Sequence, residues 1–172
     1  MSNRILVAYA SRAGSTQEVA EAVAKALREQ GQEVDVRAVR EVRSLELYAA
    51  VVVGSAARIM KIYAEAVSFV KQHRAVLQKM PTALFVSCMT MKEDNEKNRE
   101  TVSGYLKPLT ALVSPKAIGL FAGKMDMSKV GGLWGAMMKN TKAEDCRDWE
   151  AIRVWAAGLP ALFFPGSPSS PS

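Results

Sequence analysis

The segment Ile5-Leu-Val-Ala-Tyr-Ala10, followed at once by Ser11-Arg-Ala-Gly-Ser-Thr16, decides the fold. The first six residues form an unbroken apolar run of strand length, which is typical of a strand buried on both faces of a parallel sheet. After the polar loop, apolar residues recur every four positions from Val19 to Leu27, which predicts an amphipathic helix over 16–30. A buried strand, a loop and a helix form the first part of a βαβ unit.

The rest of the chain repeats this alternation of strand-length apolar runs and helix-length amphipathic segments. Further strands are predicted at 33–39, 49–55, 82–88 and 116–122, and further helices at 64–78, 95–112 and 147–164. The strand over 33–39 alternates apolar and charged residues, so we expect one wet face and a position at the sheet edge. Strands that alternate with helices predict an α/β fold around a parallel sheet.

The composition predicts one globular domain without a metal site. The chain has 172 residues, 49% hydrophobic and 23% charged, and this length supports a core without disulfides. Cys88, Cys146 and the single histidine, His73, match no metal-ligand spacing. No apolar run reaches membrane-spanning length and the N-terminus lacks a signal-peptide pattern, so we expect a cytoplasmic protein. We assign the domain to 1–164 and expect the Pro- and Ser-rich tail, 165–172, to be disordered.

The loop Ser11–Thr16 has the chemistry of a phosphate-binding loop. It offers three hydroxyl groups, a glycine that permits close backbone approach, and N–H groups at the positive end of a helix dipole. Neither G-x-G-x-x-G nor G-x-x-x-x-G-K-[ST] is present, which removes the specific motifs for dinucleotides and nucleoside triphosphates and leaves the phosphate of a flavin mononucleotide. A second interpretation stays open, in which Ser15 or Thr16 caps the helix and Gly14 makes a turn.

Short motifs along the whole chain resemble one known family. A strand that ends in Ala-Tyr-Ala and is followed by Ser-x-x-Gly-x-Thr is similar to the phosphate loop of flavodoxins. Other segments resemble the branch of this family that includes the menaquinone-dependent protoporphyrinogen dehydrogenase of heme synthesis: 54–58, 69–73, 80–81, 92–99 and 148–150. The resemblance implies a flavodoxin-like three-layer α/β/α fold, with a five-stranded parallel sheet of order 2-1-3-4-5, and FMN as cofactor.

The resemblance also implies where FMN is held. The phosphate would contact Ser11, Arg12, Ala13, Gly14, Ser15 and Thr16. The isoalloxazine ring would contact the loop after the third strand, at Ala56, Ala57, Arg58 and Ile59, and the loop after the fourth strand, at Ser87, Cys88, Met89, Thr90 and Met91. Flavodoxins commonly stack an aromatic side chain on the ring, and Ile59 occupies that position here. We therefore expect weaker FMN retention, by about 0.5 to 1.5 kcal/mol of aromatic pairing.

Four side chains near these loops have chemistry that needs an interpretation. Arg58 is either a solvated loop charge or a cation that favours the reduced flavin anion. Cys88 is interpreted as a small buried apolar residue rather than a thiol catalyst. Tyr63 is either a substitute for the missing aromatic partner of the flavin or a core residue at a helix start. His73 has no identifiable catalytic partner, and no side-chain acid or base can be named.

Basic residues concentrate in two stretches of a chain whose formal net charge is +6. Residues 58–79 contain five basic residues against Glu65, and 116–142 contain five lysines against Asp126. Within the second stretch, Met, Leu and Trp lie among lysines over 123–139, a pattern typical of contact with an anionic membrane or a flat apolar substrate. Core packing also fits its helical spacing. The basic residues are not interleaved with aromatic platforms, so no nucleic-acid partner is expected.

These patterns and the resemblance lead to three functional hypotheses. The first is an FMN-dependent oxidoreductase that oxidises a porphyrinogen with quinone as acceptor. The second is a flavodoxin-type electron carrier whose partner is a redox protein, and the third is a cofactor-free interaction module. Carrier flavodoxins are typically acidic, so the basic charge favours a substrate with carboxylates or a quinone-bearing membrane. On the first hypothesis we expect the protein in the cytoplasm, with peripheral contact at the inner face of the membrane.

Overall fold

Strands and helices alternate through the computed structural model, which describes residues 3–11, 14–125 and 144–166. The strands are β1 (Ile5–Ala10), β2 (Val34–Ala38), β3 (Ala50–Arg58), β4 (Lys61–Ile62), β5 (Thr82–Cys88), β6 (Ala117–Ala122), β7 (Lys124–Met125) and β8 (Glu144–Asp145). The helices are α1 (Ser15–Glu29), α2 (Ala64–Gln72), α3 (Arg74–Leu77), α4 (Glu96–Tyr105), α5 (Lys107–Thr110), α6 (Trp149–Ala157) and α7 (Leu159–Phe163). Single 3-10 turns lie at Val39–Glu41 and Met89–Lys92.

The central sheet has the order β2-β1-β3-β5-β6, and every pair of neighbouring strands in it is parallel. These are the five strands predicted from the sequence, so the order 2-1-3-4-5 is confirmed. The half-polar strand β2 lies at the edge, as its alternation predicts. Two additions were not predicted, and the first is β4, which pairs antiparallel with the end of β3. A separate two-stranded ribbon joins β7 and β8.

The sheet lies between two helical layers because its central strands are apolar on both faces. In β1, Ile5 and Val7 pack into the core cluster that contains α1, α6 and α7. Leu6 and Ala8 point into the opposite cluster, which α2, α3, α4 and α5 cover. Residues that alternate along a strand face opposite sides, so a continuous apolar run is what a two-sided core requires. The fold is therefore a three-layer α/β/α sandwich.

The central strands approach the aromatic core closely at a glycine. A Cβ atom added to Gly54 would lie 1.9 Å from Cζ of Phe85, so only glycine fits at this position of β3. Phe85 in turn belongs to an aromatic group with Phe121 and Trp155, whose ring centroids are 5.4 to 6.2 Å apart. This packing fixes β3 and β5 side by side, and the loops that follow the two strands inherit their positions.

The three long helices predicted after β3, β5 and β6 are each divided in two. The breaks fall at His73, Leu106 and Gly158, each of which ends one helix and begins the next. Pro108 and Pro160 lie in the first turns of the two later short helices. Proline lacks an N–H group, so it favours the start of a helix and interrupts its middle. Hydrophobic spacing alone does not register such breaks.

Some segments singled out by the sequence lie outside the described residues. They are Arg12 and Ala13 of the phosphate loop, residues 126–143 of the Met- and Lys-rich stretch, and 167–172 of the tail. Within the described ranges, no helix is both long enough and apolar enough to cross a bilayer. The same ranges contain no cluster of three or more His, Cys, Asp or Glu side chains placed to share a metal ion.

Candidate functional site

The candidate site lies at the carboxyl edge of the sheet, where β1, β3 and β5 end. These three strands are parallel neighbours, so the loops that follow them leave the sheet on the same side. In open α/β sheets, ligands bind outside the carboxyl ends of the strands, at the point where the strand order reverses. In this sheet that point lies between β1 and β3, because the chain runs to β2 on one side and to β3 on the other.

The loop after β1 contains a left-handed glycine with open space beside it. Gly14 has a φ of 86° and is the N-cap residue of α1. Its N–H donates to Oγ of Ser11 at 3.1 Å, which closes the loop on itself. A Cβ atom built on Gly14 would meet nothing within 4 Å. Gly14 thus presents bare backbone at the N-terminus of a long helix, where the helix dipole favours an anion.

Thr16 provides an unsatisfied buried hydroxyl in the first turn of the same helix. The residue is 0% exposed, and its Oγ1 atom has no hydrogen-bond partner among the described residues. A buried hydroxyl without a partner destabilises the folded state, since folding removes its hydrogen bonds to water and no hydrogen bond within the protein replaces them. The oxygen of a bound phosphate would supply the acceptor that this hydroxyl lacks. Together with Gly14, Thr16 makes the residues present fit a phosphate group.

Arg147 clamps the start of α1 from the other end of the chain. Its side chain is only 4% exposed, and its Nη1 atom lies 2.6 Å from Oε2 of Glu18 and 3.4 Å from the carbonyl oxygen of Ser15. It also makes two hydrogen bonds to Asp145, at 2.9 and 2.7 Å, and lies 4.5 Å from the ring centre of Trp149. The guanidinium lowers the pKa of Asp145 to about 2 through these hydrogen bonds. Sequence analysis missed this residue because its partner Glu18 lies 129 positions away.

The loop after β3 is a tight hairpin. Arg58 on β3 pairs with Lys61 on β4, so only Ile59 and Met60 form the turn, with φ values of 51° and 61°. Two consecutive positive φ angles are the mark of a type I′ turn, which matches the twist of the flanking strands. At the hairpin base, the Ser55 hydroxyl accepts from the N–H of Tyr63 at 3.1 Å and donates to the carbonyl of Ala56 at 2.8 Å. These two hydrogen bonds fix the base of the hairpin at the carboxyl edge of the sheet.

The loop after β5 is held by its own side chains. Asn98 donates to the carbonyl oxygens of Thr90, at 3.1 Å, and Glu93, at 2.8 Å. Asn95 caps α4 by accepting from the N–H of Asn98 at 2.8 Å. Arg99 pairs with Asp94 through two hydrogen bonds of 2.5 and 2.8 Å, which lowers the pKa of that carboxyl group. This loop is preformed, so it can act as a fixed wall beside a ligand.

The predicted site residues fall into three classes of exposure. Four of them are buried in the core or in the first turn of α1: Thr16, Ser87, Cys88 and Met91. Ser11, Gly14, Ser15, Ala56, Ala57, Met89 and Thr90 are half-buried at the carboxyl edge, and Arg58 and Ile59 are exposed at the hairpin. Burial of Cys88 agrees with its interpretation as a small apolar residue. The Ser87 hydroxyl donates a hydrogen bond to the carbonyl oxygen of Ala122 at 3.5 Å.

Among the described residues, cavities open at both edges of the sheet. One, of about 270 Å³, adjoins the phosphate loop and is lined by Tyr9, Ala10, Ser11, Gly14, Gln17, Ala38, Val39, Arg40, Glu41, Tyr63 and Glu65. Burial, and then the charge of Glu41, raise the pKa of Tyr9 above its ordinary value. The larger cavity, of about 610 Å³, lies beside Pro81 and Lys116, at the amino ends of β5 and β6. None of the predicted site residues lines it.

Comparisons with known proteins agree with this geometry. A family model described as a flavodoxin domain matches residues 6–148. A protoporphyrinogen IX dehydrogenase (quinone) from Leishmania major is 26% identical over 177 residues, which cover 94% of this chain and 76% of that protein. The protein of the same name from Escherichia coli K12 is 28% identical over 102 residues, and the match spans about half of each chain, 58% of this one and 56% of that one.

Solved structures share the architecture at low sequence identity. Flavodoxin 1 from Bacillus cereus has a TM-score of 0.58 and is 16% identical, with 96% of this chain and 99% of that one covered. An oxidoreductase from Corynebacterium diphtheriae has the same TM-score and coverage at 18% identity. At these identities the likeness shows the fold.

Proposed function

We propose, from the premise that this chain belongs to the flavodoxin domain family, that it is an FMN-dependent oxidoreductase. More finely, we propose that it oxidises a porphyrinogen and passes the electrons to a quinone. The name of the Leishmania major relative, which matches 94% of this chain, supports the finer assignment.

The single observation that carries the FMN proposal is the unfinished phosphate loop. Thr16 has a buried hydroxyl with no partner among the described residues, next to a glycine whose Cβ position is open space. Both features lie at the N-terminus of a 15-residue helix, whose first N–H groups lack intrahelical partners. Ser11, Gly14, Ser15 and Thr16 would hold the phosphate. Arg12 and Ala13, outside the described residues, remain predicted contacts.

The two other loops would hold and orient the isoalloxazine ring. When bound, FMN would supply the hydride- and electron-transfer chemistry of the reaction. The ring would lie between the β3–β4 hairpin, which Ser55 fixes, and the loop after β5, which Asn98 fixes. Ala56, Ala57, Met89 and Thr90 would contact it. Arg58 is exposed at the hairpin, and we find no ion pair for it within the part of the chain that the structure describes. Its charge is therefore free to attract a carboxylate of the substrate.

The direct test is turnover of FMN-reconstituted protein with protoporphyrinogen and a menaquinone analogue under anaerobic conditions. We expect porphyrin fluorescence to appear only when protein and quinone are both present. Gly14→Asp serves as the control, because it places a carboxylate in the phosphate loop. Porphyrin formation no faster than in the protein-free mixture, from protein that carries FMN, would contradict the finer assignment.

A second candidate function, a flavodoxin-type electron carrier, is favoured by one feature of the two loops that would contact the isoalloxazine ring. Residues 55–62 and 87–92 contain no carboxylate and no histidine, the side chains that most often act as general acids near neutral pH. An electron carrier needs none. This candidate predicts rapid one-electron exchange with a redox protein and no turnover in the porphyrinogen assay. Failure to bind FMN would instead favour a cofactor-free interaction module.

A further inference from the structure

The tip of the β3–β4 hairpin exposes two large apolar side chains. Ile59 is 84% exposed and Met60 is 73% exposed, which are the highest values among the large hydrophobic residues that the structure describes. Single exposed hydrophobic residues are common on protein surfaces. Two adjacent ones at a projecting turn are a stronger signal, because the turn could have been built from small polar residues.

The backbone of the tip is also held in an unfavourable conformation. Both residues have positive φ values, a region that a β-branched residue such as Ile59 rarely adopts. Type I′ turns normally use Asn and Gly at these positions, since those residues tolerate positive φ. The hairpin overcomes this cost through the pairing of Ala57 with Ile62 and the Ser55 hydroxyl at its base. Local strain of this kind is characteristic of functional positions.

Two cations flank the apolar pair. Arg58 and Lys61 are direct partners across the hairpin, and both are exposed. In the described ranges neither makes an ion pair. An apolar tip between unpaired cations is the pattern with which proteins enter the interfacial region of an anionic bilayer. We propose that residues 58–61, the hairpin tip, dock this protein on an anionic lipid surface.

The shape of the tip favours lipid over a protein partner. A stable protein interface buries roughly 800 Å² on each side and needs a broad complementary surface. Two side chains on a convex turn do not provide such an area, whereas a bilayer accepts a point insertion with cations at the headgroup level. The helix that follows the tip, α2, carries Glu65 and Lys71, whose charges cancel, so Arg58 and Lys61 of the tip itself supply the attraction to anionic headgroups.

Docking through the tip would place the candidate site against the membrane. The hairpin leaves the same sheet edge as the loops after β1 and β5. On the proposed function, the flavin edge would then face the phase in which an apolar quinone dissolves. Only this consequence rests on the proposed function, because lipid binding itself needs neither FMN nor turnover.

The test is sedimentation of FMN-free protein with vesicles. Wild-type protein should bind vesicles of equimolar phosphatidylglycerol and phosphatidylcholine and should dissociate from them at high salt. It should not bind vesicles of pure phosphatidylcholine. The double variant Ile59→Asn/Met60→Gly keeps a favourable type I′ turn while it removes the apolar pair, and it should bind about tenfold more weakly. Arg58→Gln/Lys61→Gln should also bind more weakly and should lose part of the salt dependence.

Leu47→Asn is the matched control, because Leu47 is 67% exposed but precedes β3, at the opposite edge of the sheet. It should bind like the wild type. Equal binding by Ile59→Asn/Met60→Gly and wild type, or no wild-type binding to anionic vesicles, would overturn the proposal. If wild-type protein ignores vesicles but forms a dimer that the double variant abolishes, the tip is a contact between copies of this chain and the lipid proposal is overturned.

Discussion

Two buried polar atoms in this molecule lack a hydrogen-bond partner among the described residues, and their surroundings differ. Oγ1 of Thr16 lies at the carboxyl edge, next to the open position at Gly14. Nε2 of His73 lies in the helical layer on the opposite face of the sheet, where its ring centre is 4.8 Å from that of Phe69. His73 lines neither of the two cavities described above, whereas the neighbours of Thr16, Gly14 and Gln17, line the smaller one.

This difference separates a ligand site from a packing defect. An unsatisfied polar atom indicates a ligand only where adjoining space can admit one, which holds for Thr16. At His73 the histidine remains neutral instead, because burial lowers its pKa below the ordinary value of 6.5. Substitutions at the two sites should therefore have opposite effects: changes around Thr16 should alter ligand affinity, and changes at His73 should alter stability and its pH dependence.

The largest effect is expected from Gly14→Asp. Its carboxylate would lie where the phosphate binds, and like-charge contact costs several kcal/mol, so we expect FMN affinity to fall by about 100-fold or more. Gly14→Asn is the control, since it has the same shape and the same left-handed backbone without the charge. Each variant should lose only about 1 kcal/mol of unfolding free energy, as Asn and Asp tolerate positive φ. Fluorescence titration with FMN measures the affinities; similar values for both variants would contradict a charge effect of Gly14→Asp on the bound phosphate.

Thr16→Val should weaken FMN binding without destabilising the fold. The hydroxyl has no partner to lose, so the free energy of unfolding should stay equal or rise by up to about 1 kcal/mol. A hydrogen bond to a charged phosphate contributes about 1.5 to 3 kcal/mol, so the affinity for FMN should fall more than tenfold.

Thr82→Val is the matched control for Thr16→Val. Thr82 is also buried, but its hydroxyl donates to the carbonyls of Met80 at 3.2 Å and Leu77 at 3.4 Å, at the far edge of the sheet. It should lose about 1 kcal/mol of stability and keep its FMN affinity. Urea unfolding and FMN titration of both variants decide the matter. If Thr16→Val loses stability and keeps affinity, the hydroxyl has a structural role.

Arg147→Met should produce a smaller, phosphate-specific loss. Arg147 holds the first turn of α1, so its removal should raise the Kd for FMN by about three- to tenfold and leave the Kd for riboflavin, which lacks the phosphate, unchanged. Arg153→Met removes an exposed ion pair with Glu150 and should change neither. Equal loss for FMN and riboflavin would indicate a general structural role.

Arg147→Met should also change the response to acid. Arg147 lowers the pKa of Asp145 from 3.8 to about 2, so the ion pair stabilises the protein above pH 3.8 and is lost as the pH falls toward 2. The variant lacks this pair and should therefore have a flatter decline in that window. Thermal unfolding between pH 5 and 2 measures it, and parallel curves for wild type and variant would contradict the assignment.

The smallest effect is expected at His73. Because its folded-state pKa is lowered, the unfolded chain binds a proton that the folded protein resists, and stability declines as the pH falls through 6.5. His73→Leu should make this decline shallower between pH 7 and 5 and should leave FMN affinity at neutral pH unchanged. Urea unfolding at the two pH values measures the change. A change in FMN affinity would contradict a purely structural role for His73.

Most of the fold could be predicted because its strands are encoded locally. The run Thr82–Cys88 is apolar and strand-length, and the structure places β5 at the same bounds. The breaks within the helices were harder to predict, although Pro108 and Pro160 indicate where two of the short helices begin. The hairpin was missed because its turn is formed by Ile59 and Met60, which turn propensities disfavour. Propensity describes average surroundings, whereas this turn is imposed by the register of β3 and β4.

The candidate site was predicted only as far as short motifs reach. The glycine at position 14 and the hydroxyl at position 16 could be recognised because both belong to one continuous loop. Arg147 could not, since its contact with Glu18 depends on how distant elements pack. Sequence also could not distinguish the buried Met91 from the half-buried Met89, because the turn after β5 decides which side chain enters the core.

Whether the loop after β1 binds the phosphate of a flavin is tested by titrating wild-type protein in parallel with FMN and with riboflavin, followed by flavin absorbance and fluorescence. We predict perturbed flavin bands and quenched fluorescence with FMN, and binding of riboflavin that is at least about tenfold weaker because the phosphate contacts are absent. Equal affinity for the two flavins, or no spectral change at high micromolar FMN, would contradict phosphate binding by this loop.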